Sequence, residues 1–273
     1  MKTIKAETIS NVISELCIKA NTVLRGDVLT ALKMALRKEK NKRAKDILEK
    51  IIRNSQVAKK ESLAICQDTG LPCVFVELGQ DIRITGDLKQ AINKGIEAGY
   101  RRGYLRNSVV LDPLSRGKSG FSPAVIHIDM VKGSRLALTV IPKGFGCENK
   151  TQLKMLRPTA KIAEIKKFIV EVVKTAGPDA CPPYIVGVGI GGSADYAAFL
   201  AKKALLRKII RKISKLEKEL LIQINKLNIG PMGLGGKTTA LAVSIQTYPT
   251  HIAGLPVAVN ISCHALRSAS KKI

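Results

Sequence analysis

Apolar positions recur every three to four residues over 8–20, 27–38 and 44–52, and that spacing predicts three amphipathic helices in the first sixty residues. The texture then changes. Leu63-Ala64-Ile65 runs into the polar turn Cys66-Gln67-Asp68-Thr69-Gly70, followed by the β-prone Cys73-Val74-Phe75-Val76-Glu77-Leu78, a pattern expected of a loop held at a strand end. Helical spacing returns over 88–101. Residues 109–140 read as sheet, with strands over 124–128 and 136–141, and 142–150 is a glycine loop. An amphipathic helix over 162–175 is ended by Gly177-Pro178. Cys181-Pro182-Pro183 opens a strand over 184–190, and Gly191-Gly192 leads into a helix over 194–207. A charged helix over 212–227, a second glycine loop over 230–236, and strands over 240–247 and 257–262 complete the chain. No internal repeat or Pro/Ser-rich linker interrupts it. The expected architecture is one α/β domain over residues 1–273, with mixed sheets flanked by helices after a helical N-terminal region.

Composition narrows the picture. A chain of 273 residues with 45% hydrophobic content can bury a sizeable core, which excludes a disordered protein. With 4% aromatics and no Trp, that core rests on Ile, Leu, Val and Ala. No apolar run is long enough to span a bilayer, and the first residues lack the apolar stretch of a secretory signal, so the expectation is a cytoplasmic protein without a membrane partner.

The 46 Lys and Arg against 21 Asp and Glu give a net charge of +25. These cations are spread along helical stretches such as 32–60 and 202–226, with no aromatics among them to stack bases. No nucleic-acid partner is expected, and the charge reads as a solvated surface that also attracts anionic dicarboxylates. A non-catalytic, nucleic-acid-binding protein is the alternative from another class.

Two glycine motifs suggest nucleotides and fail in detail. Gly187-Val188-Gly189-Ile190-Gly191-Gly192 fits the dinucleotide fingerprint, but a second charged helix follows where a strand ending in an acidic residue is needed. Gly233-Leu234-Gly235-Gly236-Lys237-Thr238 resembles the end of a P-loop, but the first glycine of that motif falls on Pro231, which has no N–H to offer a phosphate. The backbone N–H groups of this loop are still expected to be able to hold an anion such as a substrate carboxylate.

Six cysteines, at 17, 66, 73, 147, 181 and 263, are widely and irregularly spaced, with no C-x-x-C pair. That excludes zinc ribbons, thioredoxin chemistry and the tight cysteine run of a ferredoxin. A cofactor held by them must draw on distant segments.

Four segments carry a resemblance. Ile65-Cys66-Gln67-Asp68-Thr69-Gly70, Lys143-Gly144-Phe145-Gly146-Cys147-Glu148-Asn149-Lys150, Ala180-Cys181-Pro182-Pro183 and Ile261-Ser262-Cys263-His264-Ala265 occur in that order. Over roughly residues 65–267 the chain resembles the α subunit, or N-terminal half, of the class I iron–sulfur fumarases and L-tartrate dehydratases.

The resemblance implies an iron–sulfur hydro-lyase α-subunit fold and a 4Fe–4S cluster on Cys66, Cys181 and Cys263. Three thiolates on a four-iron cube leave one iron open as a Lewis acid. Cys17 and Cys73 lie on apolar segments and read as packed core thiols. Cys147, at a position often occupied by Ser, is expected near the site without ligating iron.

The resemblance also places Gln67, Arg106 and Gly146 on substrate, and makes Asp68 and His251 candidates for acid–base work. Without the resemblance Asp68 would be read as a turn-capping carboxylate and Arg106 as a surface arginine, and a structural role is the alternative for His251. Residues 116–123, Arg-Gly-Lys-Ser-Gly-Phe-Ser-Pro, and Gly254 depart from the family pattern. The expected reaction is reversible hydration of fumarate to (S)-malate, with dehydration of L-tartrate or a related 2-hydroxy dicarboxylate as the alternative. The family's base-bearing segment has no counterpart here, so a separate β subunit, in an α2β2 heteromer, is the expected partner.

Overall fold

The computed structural model describes residues 2–273. In chain order these form β1 (Lys2–Lys5), α1 (Ala6–Thr22), α2 (Gly26–Lys38), α3 (Lys42–Glu61), β2 (Leu71–Gly79), β3 (Ile82–Thr85) and α4 (Leu88–Arg102). The short pair β4 (Val109–Val110) and β5 (Ser119–Gly120) precedes β6 (Val125–Val131), β7 (Leu136–Lys143), α5 (Phe145–Glu148), β8 (Gln152–Leu156) and α6 (Ile162–Ala176). Then come β9 (Tyr184–Gly192), α7 (Ala194–Ala204), α8 (Lys215–Asn225), a 3-10 turn (Pro231–Gly233), β10 (Ala240–Thr250), β11 (Leu255–Ser262) and β12 (Ala269–Lys272). The α/β class with mixed sheets flanked by helices is the architecture expected. The chain divides into two compact units, the first made of 1–25, 55–145 and 267–273, the second of 26–54 and 146–266.

In the first unit a four-stranded sheet runs in the order β12-β7-β2-β6, with β6 parallel to β2 and the other pairs antiparallel. Alternation along the strands sends Val74, Val76, Leu136, Leu138 and Val140 to one face. Ile9, Ile13 and Leu16 of α1 and Ile92, Ile96 and Tyr100 of α4 meet them there. Each such aliphatic residue contributes about 1.5–3 kcal/mol by leaving water. The expected sheet over 109–124 is mostly absent. Asp112 accepts hydrogen bonds from the backbone of Leu114 and Ser115, at 2.8 and 3.2 Å, and this local turn displaces strand pairing.

In the second unit the order is β10-β9-β11-β8, with β10 parallel to β9 and the other neighbours antiparallel. Tyr184, Val186 and Val188 of β9 and Val257, Val259 and Ile261 of β11 join the core that includes residues of α6 and α8. The alternate positions face α7. A Cβ on Gly187 would stand 2.1 Å from the Ala201 carbonyl oxygen, and one on Gly189 would stand 2.0 Å from that of Ala197. The apparent dinucleotide fingerprint is therefore a packing device that lets α7 lie directly on the strand.

Candidate active site

Cys66 lies in the first unit, on the loop between α3 and β2, and side chains hold that loop at four successive carbonyls. Arg106 donates from Nη1 to Gln67 O at 3.4 Å, and Arg267 donates from Nη2 to Asp68 O at 2.7 Å. The Tyr100 hydroxyl reaches both Thr69 O and Gly70 O, at 3.0 and 3.2 Å. Burial, chiefly, pushes the Tyr100 phenol above its ordinary pKa, so it stays a donor. Gly70 has φ +78°, and a Cβ there would meet the backbone of Pro142 at 2.6 Å, so the loop requires glycine.

Asp68 takes part in the same framework. Its Oδ1 accepts from Gly70 N at 2.9 Å and its Oδ2 from Phe145 N at 2.8 Å. This is the turn-capping geometry, and it fastens the Cys66 loop to the glycine loop after β7. Gln67 Oε1 lies 3.3 Å from the Cys66 sulfur. Arg106 is exposed, and its backbone N–H donates to Thr69 Oγ1 at 3.0 Å. The structure thus brings Cys66, Gln67, Asp68 and Arg106 together.

Cys181 and Cys263 lie in the second unit, on adjoining loops. Cys181 has φ +56°, in a turn where its N–H donates to Pro178 O at 3.1 Å. Its carbonyl accepts the His264 backbone N–H at 3.3 Å and lies 3.0 Å from His264 Nδ1. A carbonyl only accepts, so Nδ1 carries the proton. The Pro182 carbonyl accepts from Met232 N at 2.8 Å.

Cys147 is buried and its thiol donates to Ala180 O at 3.3 Å, one residue before Cys181. Lys150 pairs with Asp179 at 2.9 Å. Glu148 accepts from Asn260 of β11 at 2.9 Å and from Lys202 of α7 at 2.5 Å. The segment 146–150 is therefore tied to the Cys181 loop and to β11, the strand that leads into Cys263, which puts Gly146 and Cys147 beside the Cys181 loop. Sequence reasoning missed Tyr100, Glu148, Asn260, His264 and Arg267. Of these only Glu148 and His264 lie inside the motifs that carried the resemblance.

Two sequence expectations change. His251 sits in the turn between β10 and β11, where its Nδ1 accepts from Ala253 N at 3.2 Å. Cys263 follows the other end of β11, and eight residues at about 3.3 Å each put roughly 25 Å between them. The structure does not bring His251 to the Cys181 and Cys263 loops. The glycine loop over 230–236 offers no anion cradle: the N–H groups of Met232, Gly233, Leu234, Gly235, Gly236 and Lys237 all donate within the protein. Loop closure and the Asn228 and Glu39 side chains consume the donors a phosphate or carboxylate would need.

The donor chemistry fits an iron–sulfur cluster. Cys17, Cys73 and Cys147 are buried, whereas Cys66, Cys181 and Cys263 are part-exposed and lie on loops. Burial pushes the Cys17 thiol up to about 12, which disfavours the thiolate a metal takes. Among the described residues, no group of three or more His, Cys, Asp or Glu is gathered to hold a single metal ion. A four-iron cube is a larger object that takes thiolates from separate segments.

Comparison with known proteins defines the class. The family model described as Fumarate hydratase (Fumerase) matches residues 10–272, and the chain belongs to that family, a family of hydro-lyases. The match takes in the N-terminal helices as well as the four motif segments. The chain is 42% identical over 278 residues to a Methanocaldococcus jannaschii protein named "Putative L(+)-tartrate dehydratase subunit alpha", covering 97% of each. It is 30% identical over 274 residues to the "L(+)-tartrate dehydratase subunit alpha" of Escherichia coli strain UTI89, covering 97% of this chain and 90% of that one. The strain K12 protein of the same name is 30% identical over 268 residues, covering 95% and 88%.

Proposed function

We propose that this chain, residues 1–273 acting as one catalytic subunit, is the α subunit of a hydro-lyase that dehydrates L-tartrate or a closely related 2-hydroxy dicarboxylate. A separate β subunit completes it, in an α2β2 heteromer. The observation that carries the cofactor reading is the division of the six cysteines: the three part-exposed thiols are the three at the family's cluster positions. Cys66, Cys181 and Cys263 would hold the 4Fe–4S cluster, whose open iron supplies a Lewis acid for the departing hydroxyl. The names of the similar proteins favour tartrate over the fumarate expected from sequence; fumarate hydration is kept as the second reading because the family model bears that name.

The chain's own residues serve binding and positioning. Arg106 is exposed and spends one long hydrogen bond on Gln67 O, which leaves guanidinium donors for a substrate carboxylate. Gln67 presents an amide beside the Cys66 sulfur. Gly146, with no Cβ, lets its backbone approach substrate. Asp68 holds one backbone N–H on each oxygen and keeps further lone pairs with which to relay a proton. His251, at the far end of β11, has no support for proton transfer beside Cys263. The base is assigned to the β subunit.

The test is an αβ complex prepared without oxygen and assayed on L-tartrate and on malate. The expected result is faster turnover of tartrate by the complex and negligible turnover of either by the isolated, cluster-loaded chain. Preference for malate would establish the second reading, and substantial turnover by the isolated chain would remove the need for a β subunit.

A further inference from the structure

The Cys66 loop rests on a cation whose charge is answered by no hydrogen-bonded carboxylate among the described residues. Arg267 is 4% exposed. Its Nη2 donates to a carbonyl, Asp68 O, while Nε and Nη1 are buried without a protein partner. None of the three nitrogens is hydrogen-bonded to a carboxylate. The one nearby carboxylate on this loop, Asp68, already holds the N–H groups of Gly70 and Phe145. A guanidinium does not shed its proton, and burying a charge with neither counter-ion nor full hydrogen bonding is costly. Such a group persists where something completes it.

Its place in the fold indicates what that is. Arg267 grips the loop two residues from Cys66, and its orphaned atoms have lost contact with solvent, so a diffusing carboxylate does not reach them. We propose that Arg267 is a positioning residue for the iron–sulfur cluster: it fixes the Cys66 loop through Asp68 O and supplies a buried positive charge that answers the cluster's negative charge. An iron–sulfur cube held by thiolates is anionic, and nearby charge and hydrogen bonding set its reduction potential. A fixed cation favours the more negative, reduced state. This inference rests on the cluster reading above and goes beyond it, because Arg267 lies outside the four motif segments.

The experiment uses the full chain, prepared without oxygen and reconstituted with iron and sulfide, as parent, Arg267→Met and Arg267→Lys. Iron and sulfide content of the parent judges the cluster reading by itself. In the loaded proteins a redox titration followed by electron paramagnetic resonance is expected to show Arg267→Met lowered by about tenfold in its reduction equilibrium, about 59 mV for one electron. Arg267→Lys, which keeps the charge and can reach Asp68 O, is expected to lie near the parent. In the iron-free proteins Arg267→Met is expected to melt close to the parent, because the lost hydrogen bond to Asp68 O is offset by removal of a buried, unanswered charge.

A loaded Arg267→Met with the parent's potential would overturn the proposal. So would an iron-free Arg267→Met that melts well below the parent, since the charge would then be answered within the protein, whatever the parent's iron content.

Discussion

At the scale of single residues, environment separates cysteines that sequence treats alike. Cys17 is sealed among α1 and α4 and held as a thiol, Cys73 is buried on β2, and Cys147 donates a hydrogen bond to Ala180 O. Serine in place of Cys66, Cys181 or Cys263 is expected to abolish the visible absorption of the reconstituted cluster, because a hydroxyl is a poor stand-in for thiolate. Cys17→Ser and Cys73→Ser should keep it. Cys147→Ser should keep it too, since a hydroxyl can still donate to Ala180 O. Loss in Cys147→Ser with retention in Cys263→Ser would reverse the ligand assignment. Asp68 shows the limit of motif reading at this scale. Its chemistry suggests acid–base work, but only the folded loop reveals that both of its oxygens already hold backbone N–H groups.

At the scale of elements, two contacts bear on the second unit. The first is α7 on β9, where Gly187 and Gly189 bring backbone against backbone. Gly189→Ala is expected to destabilise the protein by about 1–3 kcal/mol or more, since its methyl would stand 2.0 Å from a carbonyl oxygen that the helix cannot easily move. Thermal melting would check this, and an unchanged midpoint would show that α7 can shift.

The second contact is Glu217, which caps the start of α8 through Ser214 and reaches β10 by accepting from Ile245 N at 2.9 Å. Burial works against its charge. The Arg211 guanidinium and the N–H groups of Ser214 and Ile245 outweigh burial and hold the carboxyl down at about 2, from an ordinary 4.5. A depressed carboxylate stabilises the fold above its unfolded value, and that contribution is lost as acid protonates it. The parent should therefore lose stability as pH falls from about 4.5 toward about 2. Glu217→Gln should start lower at neutral pH and show a shallower decline through that window in melts at stepped pH. Parallel curves for the two proteins would refute the coupling.

At the scale of the whole molecule, the charge of +25 is a property of surface helices that the sequence alone made plain, and no helix among the described residues is long and apolar enough to cross a membrane. Hydrophobic period also determined where the long helices and core strands lie. Amphipathic spacing is a local consequence of burying one face, so it can be read without knowing what covers that face. Cys66, Cys181 and Cys263 were singled out by the motif segments that carry the resemblance, since period does not tell one cysteine from another.

The division into two units was not legible, because two of the four crossings fall inside α3 and α5 and the other two, just ahead of α2 and β12, have no linker with its own composition. Nor could sequence foresee that Tyr100 and Arg267, 30 and 199 positions beyond the nearest loop carbonyls they hold, converge on the residues after Cys66. The same holds for His251, which twelve positions separate from Cys263 but a whole strand of β11 carries away from it. Composition and period report what each residue prefers. Which side chains meet, which donors are left over and which charge goes unanswered depend on chain segments brought together only by the packed fold.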